Sequence, residues 1–218
     1  MSNLEKDDKV TPFKFGKWLW IPGFMAVVLL GLQLTKNTTP PVKQSTEPDY
    51  GTVPSFELFD QLGNTFTKDE LLGDVWVVDF VFTTCAGPCP VMTSQFSELQ
   101  DRFSDQEDFR LLSISVNPEY DTPEVLKRYG DDYGADHSRW TFLTGDREKI
   151  RSLAWEGFHV GKEEDPIFHS TYFILVDKEG KIRGYYISSE KNEIERLWTD
   201  TELLLRGHFS FILQTRYL

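Results

Sequence analysis

The most constraining feature of this sequence is an apolar run that ends in a cysteine-bearing turn. Residues 75–82 (VWVVDFVF) are almost continuously apolar, which is typical of a central strand covered on both faces. The turn TTCAGPCP follows directly, and Met92 and Phe96 then recur at helical spacing. This succession of strand, turn and helix predicts that Cys85 and Cys89 lie at the carboxyl end of a buried strand, where open α/β sheets carry reactive groups.

Short strand patterns alternate with helical patterns over the rest of the chain from Val53 onward. The predicted strands cover residues 56–59, 65–67, 109–116, 140–143, 171–177 and 181–187. The predicted helices cover 122–133, 146–156 and a segment that begins near 189. Thr122 is the predicted N-cap of its helix, with Pro123 at the first helical position. We therefore expect an α/β domain over residues 50–205, with a central mixed sheet flanked by helices, and a C-terminal tail over 206–218.

Residues 18–34 (WLWIPGFMAVVLLGLQL) predict an N-terminal transmembrane helix. The segment has no charged residue, and its seventeen residues correspond to a helix of about 26 Å, the short end of a membrane span. A cleaved signal peptide is the alternative, but no small-residue cleavage site follows the apolar run. More lysines precede the segment than follow it, which predicts a cytoplasmic stretch over 1–17 and an extracytoplasmic (periplasmic) domain on a single-pass anchor. Residues 35–49 are polar and contain proline, as in a flexible linker.

Charge and cysteine content exclude two classes of protein. Residues 1–43 contain six lysines and three acidic residues, so the remainder of this chain of net charge −12 carries −15. A domain this acidic predicts no nucleic-acid partner, because phosphate contacts need clustered Lys and Arg. Two cysteines only four positions apart do not make a disulfide scaffold. Metal binding and redox chemistry remain as uses for the two thiols.

The two thiols predict either a reversible disulfide or a site for a soft metal. Pro90 suits the first helical position, which predicts Cys89 at the helix cap, where the positive end of the helix dipole favours the thiolate. Two thiolates with an imidazole suit copper in either oxidation state, or zinc. His169 is the candidate third ligand, because it immediately precedes the apolar strand that begins at Thr171. The remaining histidines are predicted to be ordinary surface or core residues: His137, His159 and His208.

Three motifs resemble the SCO/SenC family of copper chaperones, and the resemblance extends over roughly residues 50–200. The first is the Cys-x-x-x-Cys-Pro turn that ends at Pro90. The second is the segment NPEYDTPEVLKRYG, which begins at Asn117. The third is the pair His169 and Ser170, which leads into the strand TYFILVD. A membrane anchor before the domain also fits this family.

The resemblance implies a thioredoxin-like fold in which Cys85, Cys89 and His169 bind one copper ion, as Cu(I) or Cu(II). It implies delivery of that copper to the CuA-bearing subunit of cytochrome c oxidase, or to another cuproprotein. The cysteines would also form a redox-active pair that a thiol–disulfide reductant regenerates. The chain departs from many members at two places, since Ala-Gly-Pro replaces a turn containing Asp, and Asn117 replaces Asp. Neither departure removes a ligand.

Two enzyme classes are the alternatives. The segment VVDFVFTTCAGPC also resembles the active-site strand of thioredoxin, which would make the chain a thiol–disulfide oxidoreductase. Asp79 would then be a buried general base with a raised pKa, or else an outward-facing residue at a strand end. Three residues between the cysteines, and His169 near the place of the thioredoxin cis-proline, favour a metal site instead. A thiol peroxidase of the same fold is the other alternative, and peroxide consumption that survives loss of His169 would favour it.

Overall fold

The computed structural model describes residues 50–161 and 170–207, and seven strands in this part form one mixed sheet. The strands are β1 (Glu57–Asp60), β2 (Thr65–Thr67), β3 (Val75–Val81), β4 (Phe109–Ser115), β5 (Trp140–Thr144), β6 (Tyr172–Val176) and β7 (Ile182–Ile187). Their order in the sheet is β2-β1-β5-β4-β3-β6-β7. Strands β3, β4 and β5 are parallel, and every other neighbouring pair is antiparallel. The predicted α/β class with a central mixed sheet is confirmed.

Helices cover the two faces of this sheet. They are α1 (Cys89–Arg102), α2 (Pro123–Asp132), α3 (Arg147–Ser152) and α4 (Lys191–Leu205). A π-helical turn, Leu153–Gly157, continues α3, so the single helix predicted over 146–156 changes its hydrogen-bonding pattern halfway along. Thr122 caps α2 as predicted, because its Oγ1 accepts a hydrogen bond from the Val125 N–H at 3.4 Å, and Pro123 opens the helix.

Strand β3 is the strand that brings the chain to the cysteines. It lies between β4 and β6, and none of its residues is more than 2% exposed. Its side chains alternate between two cores: Val78 packs in the core that includes the π-helical turn, whereas Val77 packs in the core that includes α1 and α4. The chain leaves β3 after Val81 and enters α1 at Cys89. The predicted strand–turn–helix arrangement is therefore confirmed.

Several predicted features lie outside the described residues. These are the anchor at 18–34, the linker at 35–49, His169, His208 and the tail beyond Gly207. Across 50–161 and 170–207, no helix combines the length and the apolar character that a membrane span requires. The last helix begins at Lys191, slightly later than its predicted start near 189.

Replacing Phe96 with Ala is expected to lower the free energy of unfolding by about 3–5 kcal/mol, the usual cost of removing a buried aromatic ring. Phe96 of α1 is fully buried, and its ring centroid lies 4.9 Å from that of Phe173 and 5.7 Å from that of Trp140. Val91→Ala on the same helix is the control, because Val91 is 60% exposed and its loss should cost less than about 0.5 kcal/mol. Urea unfolding measures both variants, and equal small losses would contradict the described packing of α1.

Candidate metal centre

Cys85 and Cys89 lie together in the connection between β3 and α1, and both thiols are reduced. Cys85 is 9% exposed and Cys89 is 4% exposed, and both pack against Val81 at the end of β3. The Cys85 N–H donates to the carbonyl oxygen of Phe82 at 3.1 Å, which closes a tight turn directly after the strand. Two soft sulfur donors therefore share one turn just below the surface, a donor set that fits Cu(I), Cu(II) or Zn(II).

Hydrogen bonds favour the thiolate form of Cys85. Burial acts against ionisation, but the Cys89 thiol and the backbone N–H groups of Cys89 and Gly87 interact with the sulfur and together lower the pKa of Cys85. The Gly87 N–H donates to Cys85 Sγ at 3.4 Å. Because the thiolate is both the nucleophile and the metal ligand, Cys85 is the more reactive thiol of the pair.

Cys89 differs from the sequence-based expectation. Burial, followed by the interaction with Cys85 and the nearby charge of Asp79, raises the pKa of Cys89 to about 12. The prediction that the helix terminus favours a Cys89 thiolate is therefore wrong, because desolvation outweighs the field of the helix dipole. The predicted cap is also displaced by one residue: Pro88 is the N-cap, Cys89 is the first helical residue, and Pro90 is the second.

A hydrogen-bonded pair of hydroxyls holds the first turn of α1. Thr93 Oγ1 donates to the carbonyl oxygen of Cys89 at 2.9 Å, so the hydroxyl of Tyr129 on α2 donates in turn to Thr93 Oγ1 at 2.7 Å. Burial raises the pKa of Tyr129, which keeps its hydroxyl protonated as this chain of bonds requires. Cys89 is therefore tied to α2 as well as to its own helix.

Asp79 lies inside the protein on the side of β3 that faces α1. It is 0% exposed, and neither carboxylate oxygen has a hydrogen-bond partner among the described residues. Burial raises the pKa of Asp79 to about 7, and the proximity of the Ser113 hydroxyl and of its own backbone N–H opposes the shift only in part. The alternative of an outward-facing Asp79 is wrong, and the predicted rise in its pKa is confirmed.

A second buried carboxylate, Asp121, contacts the cysteine turn from the other side. It is 0% exposed and accepts hydrogen bonds from the Thr83 N–H at 3.1 Å, from Thr83 Oγ1 at 2.5 Å and from Ser115 Oγ at 2.5 Å. The carbonyl oxygen of Asn117 accepts from the N–H groups of Tyr120 and Asp121, and this turn directs Asp121 inward. The motif NPEYDTP thus contacts the cysteine turn through Asp121 and Thr83, a role that was not predicted from the sequence.

The two described histidines have other contacts. His137 was predicted to be a surface residue, but it is half-buried: its Nδ1 lies 3.2 Å from Gln61 Nε2 and its Nε2 lies 2.9 Å from Asp131 Oδ1. His159 is exposed and has a left-handed backbone, with φ of 53°. Neither has a hydrogen bond or an ion pair with Cys85 or Cys89 among the described contacts.

The start of β6 lies at the same edge of the sheet as the cysteine turn. Strand β6 is antiparallel to β3 with Val78 opposite Ile174, so the residues that precede β6 lie beside the end of β3. The carbonyl oxygen of Thr171 accepts from the Ser188 N–H at 2.8 Å, and the Ser188 carbonyl oxygen accepts from Gln95 Nε2 at 2.9 Å. Because Gln95 belongs to α1, the start of β6 is linked through Ser188 to the helix that begins at Cys89.

The chain segment that carries the thiols has no charged residue. The eighteen residues 80–97 include no Asp, Glu, Lys or Arg, although such residues make up 27% of the chain. We call the exposed residues of this segment beside the cysteines the uncharged rim: Thr84, Ala86, Gly87, Pro88 and Val91.

Comparison with known proteins identifies the family. The SCO1/SenC family model matches residues 44–204, about three quarters of the chain. The chain belongs to the SCO1/SenC family. Among related sequences, the SCO1 protein homolog of Bacillus subtilis (strain 168) is 31% identical over 166 residues, which cover 73% of this chain and 86% of that protein. The family predicted from the three motifs is confirmed.

Solved structures of the family have the same fold. A SCO1/SenC family lipoprotein from Bacillus anthracis has a TM-score of 0.65 at 31% identity, covering 73% of this chain and 98% of that one. BsSco is a member of the Sco family of cytochrome c oxidase assembly proteins in which a disulfide switch has been identified. It has a TM-score of 0.64 at 32% identity, and the match covers 73% of this chain and 96% of BsSco. Yeast Sco1 with copper bound has a TM-score of 0.57 at 24% identity, covering 70% and 89%, a likeness of fold alone.

Iodoacetamide is expected to alkylate Cys85 at least about tenfold faster than Cys89 near neutral pH, because the thiolate is the reactive form. Cys89→Ala removes a donor to Cys85 Sγ and should raise the pKa of Cys85, whereas Cys89→Ser keeps a hydroxyl donor and should preserve part of the shift. Tandem mass spectrometry of the peptide that contains both cysteines, which locates the modified sulfur, measures the two rates as a function of pH. Equal rates for both thiols would contradict this asymmetry.

Asp79→Asn is expected to leave stability unchanged near pH 4 and to raise it by up to about 4 kcal/mol near pH 8. The pKa of Asp79 rises from 3.8 to about 7 on folding, so the wild type is at its most stable, relative to the variant, below pH 3.8. It loses that stability progressively as the pH rises from 3.8 to about 7, because the carboxyl group ionises in the unfolded chain while the buried group keeps its proton, and the difference levels off above pH 7. Urea unfolding at several pH values measures the difference, and a constant difference would contradict the assignment.

Proposed function

We propose that this chain is a membrane-anchored copper chaperone, which binds one copper ion through Cys85, Cys89 and His169 and delivers it to the CuA-bearing subunit of cytochrome c oxidase. The observation that carries the proposal is the pair of reduced thiols in one turn of a SCO1/SenC family chain. A relative supports it, since BsSco is described as a cytochrome c oxidase assembly protein. Another cuproprotein is an alternative recipient.

The chemistry of the donor set supports copper as the cargo. Thiolates are soft ligands that suit Cu(I), and an added imidazole also suits Cu(II). The lowered pKa of Cys85 favours its thiolate, whereas Cys89 must lose its proton when the metal binds. Copper binding should therefore release a proton and strengthen as the pH rises.

The described neighbours of residue 169 support His169 as the third ligand. It is bonded to Ser170, which is buried, and consecutive Cα atoms lie about 3.8 Å apart. Ser170 precedes Thr171, whose carbonyl oxygen is linked through Ser188 to α1. The residue before Ser170 is therefore the one that we propose contributes the imidazole at this edge. Its coordination of copper is part of the proposal.

The shallow position of the thiols supports release by ligand exchange. Cys85 and Cys89 are nearly buried, yet the rim beside them is exposed, so a partner can approach without the domain unfolding. A recipient thiolate or imidazole would replace the ligands one at a time. Oxidation of the two thiolates to a disulfide removes both sulfur donors, so an oxidised pair cannot hold the metal.

A second role, reduction of the disulfide of the recipient, uses the same two cysteines. The Cys85 thiolate would attack one sulfur of the partner disulfide to form a mixed disulfide, and the other partner sulfur would leave as a thiolate. Cys89, once deprotonated, would attack Cys85 Sγ and release the second partner thiolate. Two electrons pass to the partner and one disulfide forms here, which a thiol–disulfide reductant must reduce again. Asp79 is the candidate acceptor of the Cys89 proton, since its charge interacts with Cys89 and its pKa is about 7.

Attachment to the outer face of the cell membrane completes the proposal. The Bacillus anthracis relative is a lipoprotein, which supports a membrane-associated location for the family domain. In this chain the proposed attachment is the helix at 18–34, followed by the linker at 35–49. A linker of fifteen residues spans roughly 45 Å when extended, so the domain could search the membrane surface for an oxidase subunit.

Copper titration of the reduced full chain, purified in detergent, tests the three-ligand site. One equivalent of copper should bind tightly to the wild type and give a thiolate-to-Cu(II) absorption band. His169→Ala is expected to weaken binding by about tenfold or more and to shift or abolish the band. His159→Asn is the control, because Asn tolerates the left-handed backbone of that residue and should bind copper like the wild type.

Weak copper binding that does not depend on His169 would contradict the chaperone proposal and favour a disulfide reductase. Peroxide consumption that survives in His169→Ala would favour a thiol peroxidase. Tight binding that is lost equally in His159→Asn and His169→Ala would contradict the assignment of His169 as the specific ligand.

A further inference from the structure

We propose that Asp121 is a positioning residue, which holds Cys85 at the separation from Cys89 that metal sharing and disulfide formation require. Its effect on copper rests on the proposed function, but its effect on the dithiol itself does not. The proposal follows from three observations: the hydrogen bonds of Asp121 to Thr83, the anchoring of Asp121 in rigid elements, and the separate anchoring of Cys89.

The first observation concerns the chain between β3 and Cys85. The last ladder bond joins the Val116 N–H to the carbonyl oxygen of Val81 at 2.9 Å. Beyond it the chain leaves the sheet, and Thr83 meets Asp121 through both its N–H and its Oγ1. Cys85 follows two residues later. Hydrogen bonds to a carboxylate are among the stronger ones in proteins, so these two bonds fix the direction in which the turn leaves the strand.

The second observation is that Asp121 is itself held rigidly. Ser115 Oγ at the end of β4 donates to its Oδ2 at 2.5 Å, and the Asn117 N–H donates to Ser115 Oγ at 3.0 Å. The next residue, Thr122, is the N-cap of α2. Ser115 lies directly opposite Val81 in the parallel ladder between β3 and β4. Asp121 therefore connects the turn to β4 and to the start of α2.

The third observation is that Cys89 has a different anchor. Thr93 and Tyr129 hold the first turn of α1, and Tyr129 is on α2, the helix that begins two residues after Asp121. The two cysteines are thus fixed by separate hydrogen bonds, Cys85 through Asp121 and Cys89 through Tyr129. Asp121 and Tyr129 both belong to the segment formed by α2 and the turn before it. If the Asp121 bonds are lost, Cys85 gains freedom while Cys89 stays in place. Any state that needs both sulfur atoms at bonding distance then becomes less favourable.

Asp121→Ala tests this proposal, with Asp177→Ala as a matched control, both in the full chain. Asp177 is also a buried carboxylate with three described donors: the N–H groups of Glu179 and Lys181, and Arg183 Nε. It lies after β6, at the opposite end of that strand from the cysteine edge. Both variants should melt at lower temperature than the wild type. Only Asp121→Ala should alter the properties of the cysteine pair.

The main measurement is the midpoint potential of the Cys85–Cys89 disulfide in metal-free protein, obtained by equilibration with a thiol redox buffer. Asp121→Ala should make the disulfide about tenfold easier to reduce, a shift of about +30 mV, whereas Asp177→Ala should remain near the wild type. Copper affinity, measured by competition with a Cu(I) chelator, should fall about tenfold in Asp121→Ala alone. Failure of the wild type to bind copper would overturn the proposed function, but the potentials would still decide the role of Asp121.

If Asp121→Ala does not fold, two less disruptive variants test the same role of Asp121 through the midpoint potential. Asp121→Asn retains an oxygen that can accept from the Thr83 N–H and should restore most of the wild-type potential. Thr83→Val removes only the Oγ1 donor and should shift the potential in the same direction as Asp121→Ala, by a smaller amount. Equal potentials in the wild type and Thr83→Val, or equal shifts in Asp121→Ala and Asp177→Ala, would overturn the proposal.

Discussion

Strand β3 has no face in contact with water, and this burial determines where the thiols lie. A strand enclosed by β4, β6 and two apolar cores lets the chain emerge only at its ends. At the carboxyl end the chain must turn sharply to enter α1, and Cys85 and Cys89 occupy that turn. The same burial encloses Asp79 without a described hydrogen-bond partner, a cost that the surrounding apolar contacts must offset.

The two cysteines have different environments although only three residues separate them. Cys85 lies nearer the surface and receives hydrogen bonds that stabilise its thiolate, whereas Cys89 is enclosed at the start of α1 and keeps its proton. This asymmetry suits exchange chemistry, in which one sulfur attacks first and the other completes the reaction. It also gives a metal site one ligand that is ready to bind and one whose binding is coupled to proton release.

Local patterns in the sequence were sufficient to predict most of the fold, because hydrophobic periodicity and turn residues act over short distances. The strands, the Thr122 cap and the cysteine turn were predicted correctly, with helix starts displaced by one or two residues. The ionisation of Cys89 was predicted wrongly, because burial depends on distant segments that a helix-terminus rule does not include. Asp121 went unassigned for the same reason, since Thr83 lies 38 residues away in sequence. The role of His169 remains a prediction.

The residues that attract a partner over a long distance differ from those of the uncharged rim that contact it. A domain with a net charge of −15 over residues 44–218 exerts a long-range field on cationic molecules, whereas the rim itself contributes no charged side chain to a contact with a partner. Added salt would therefore slow the first encounter with a basic partner much more than it would loosen the docked complex. The domain can therefore select its partners by charge during association and still dissociate readily from them, as delivery of a cargo requires.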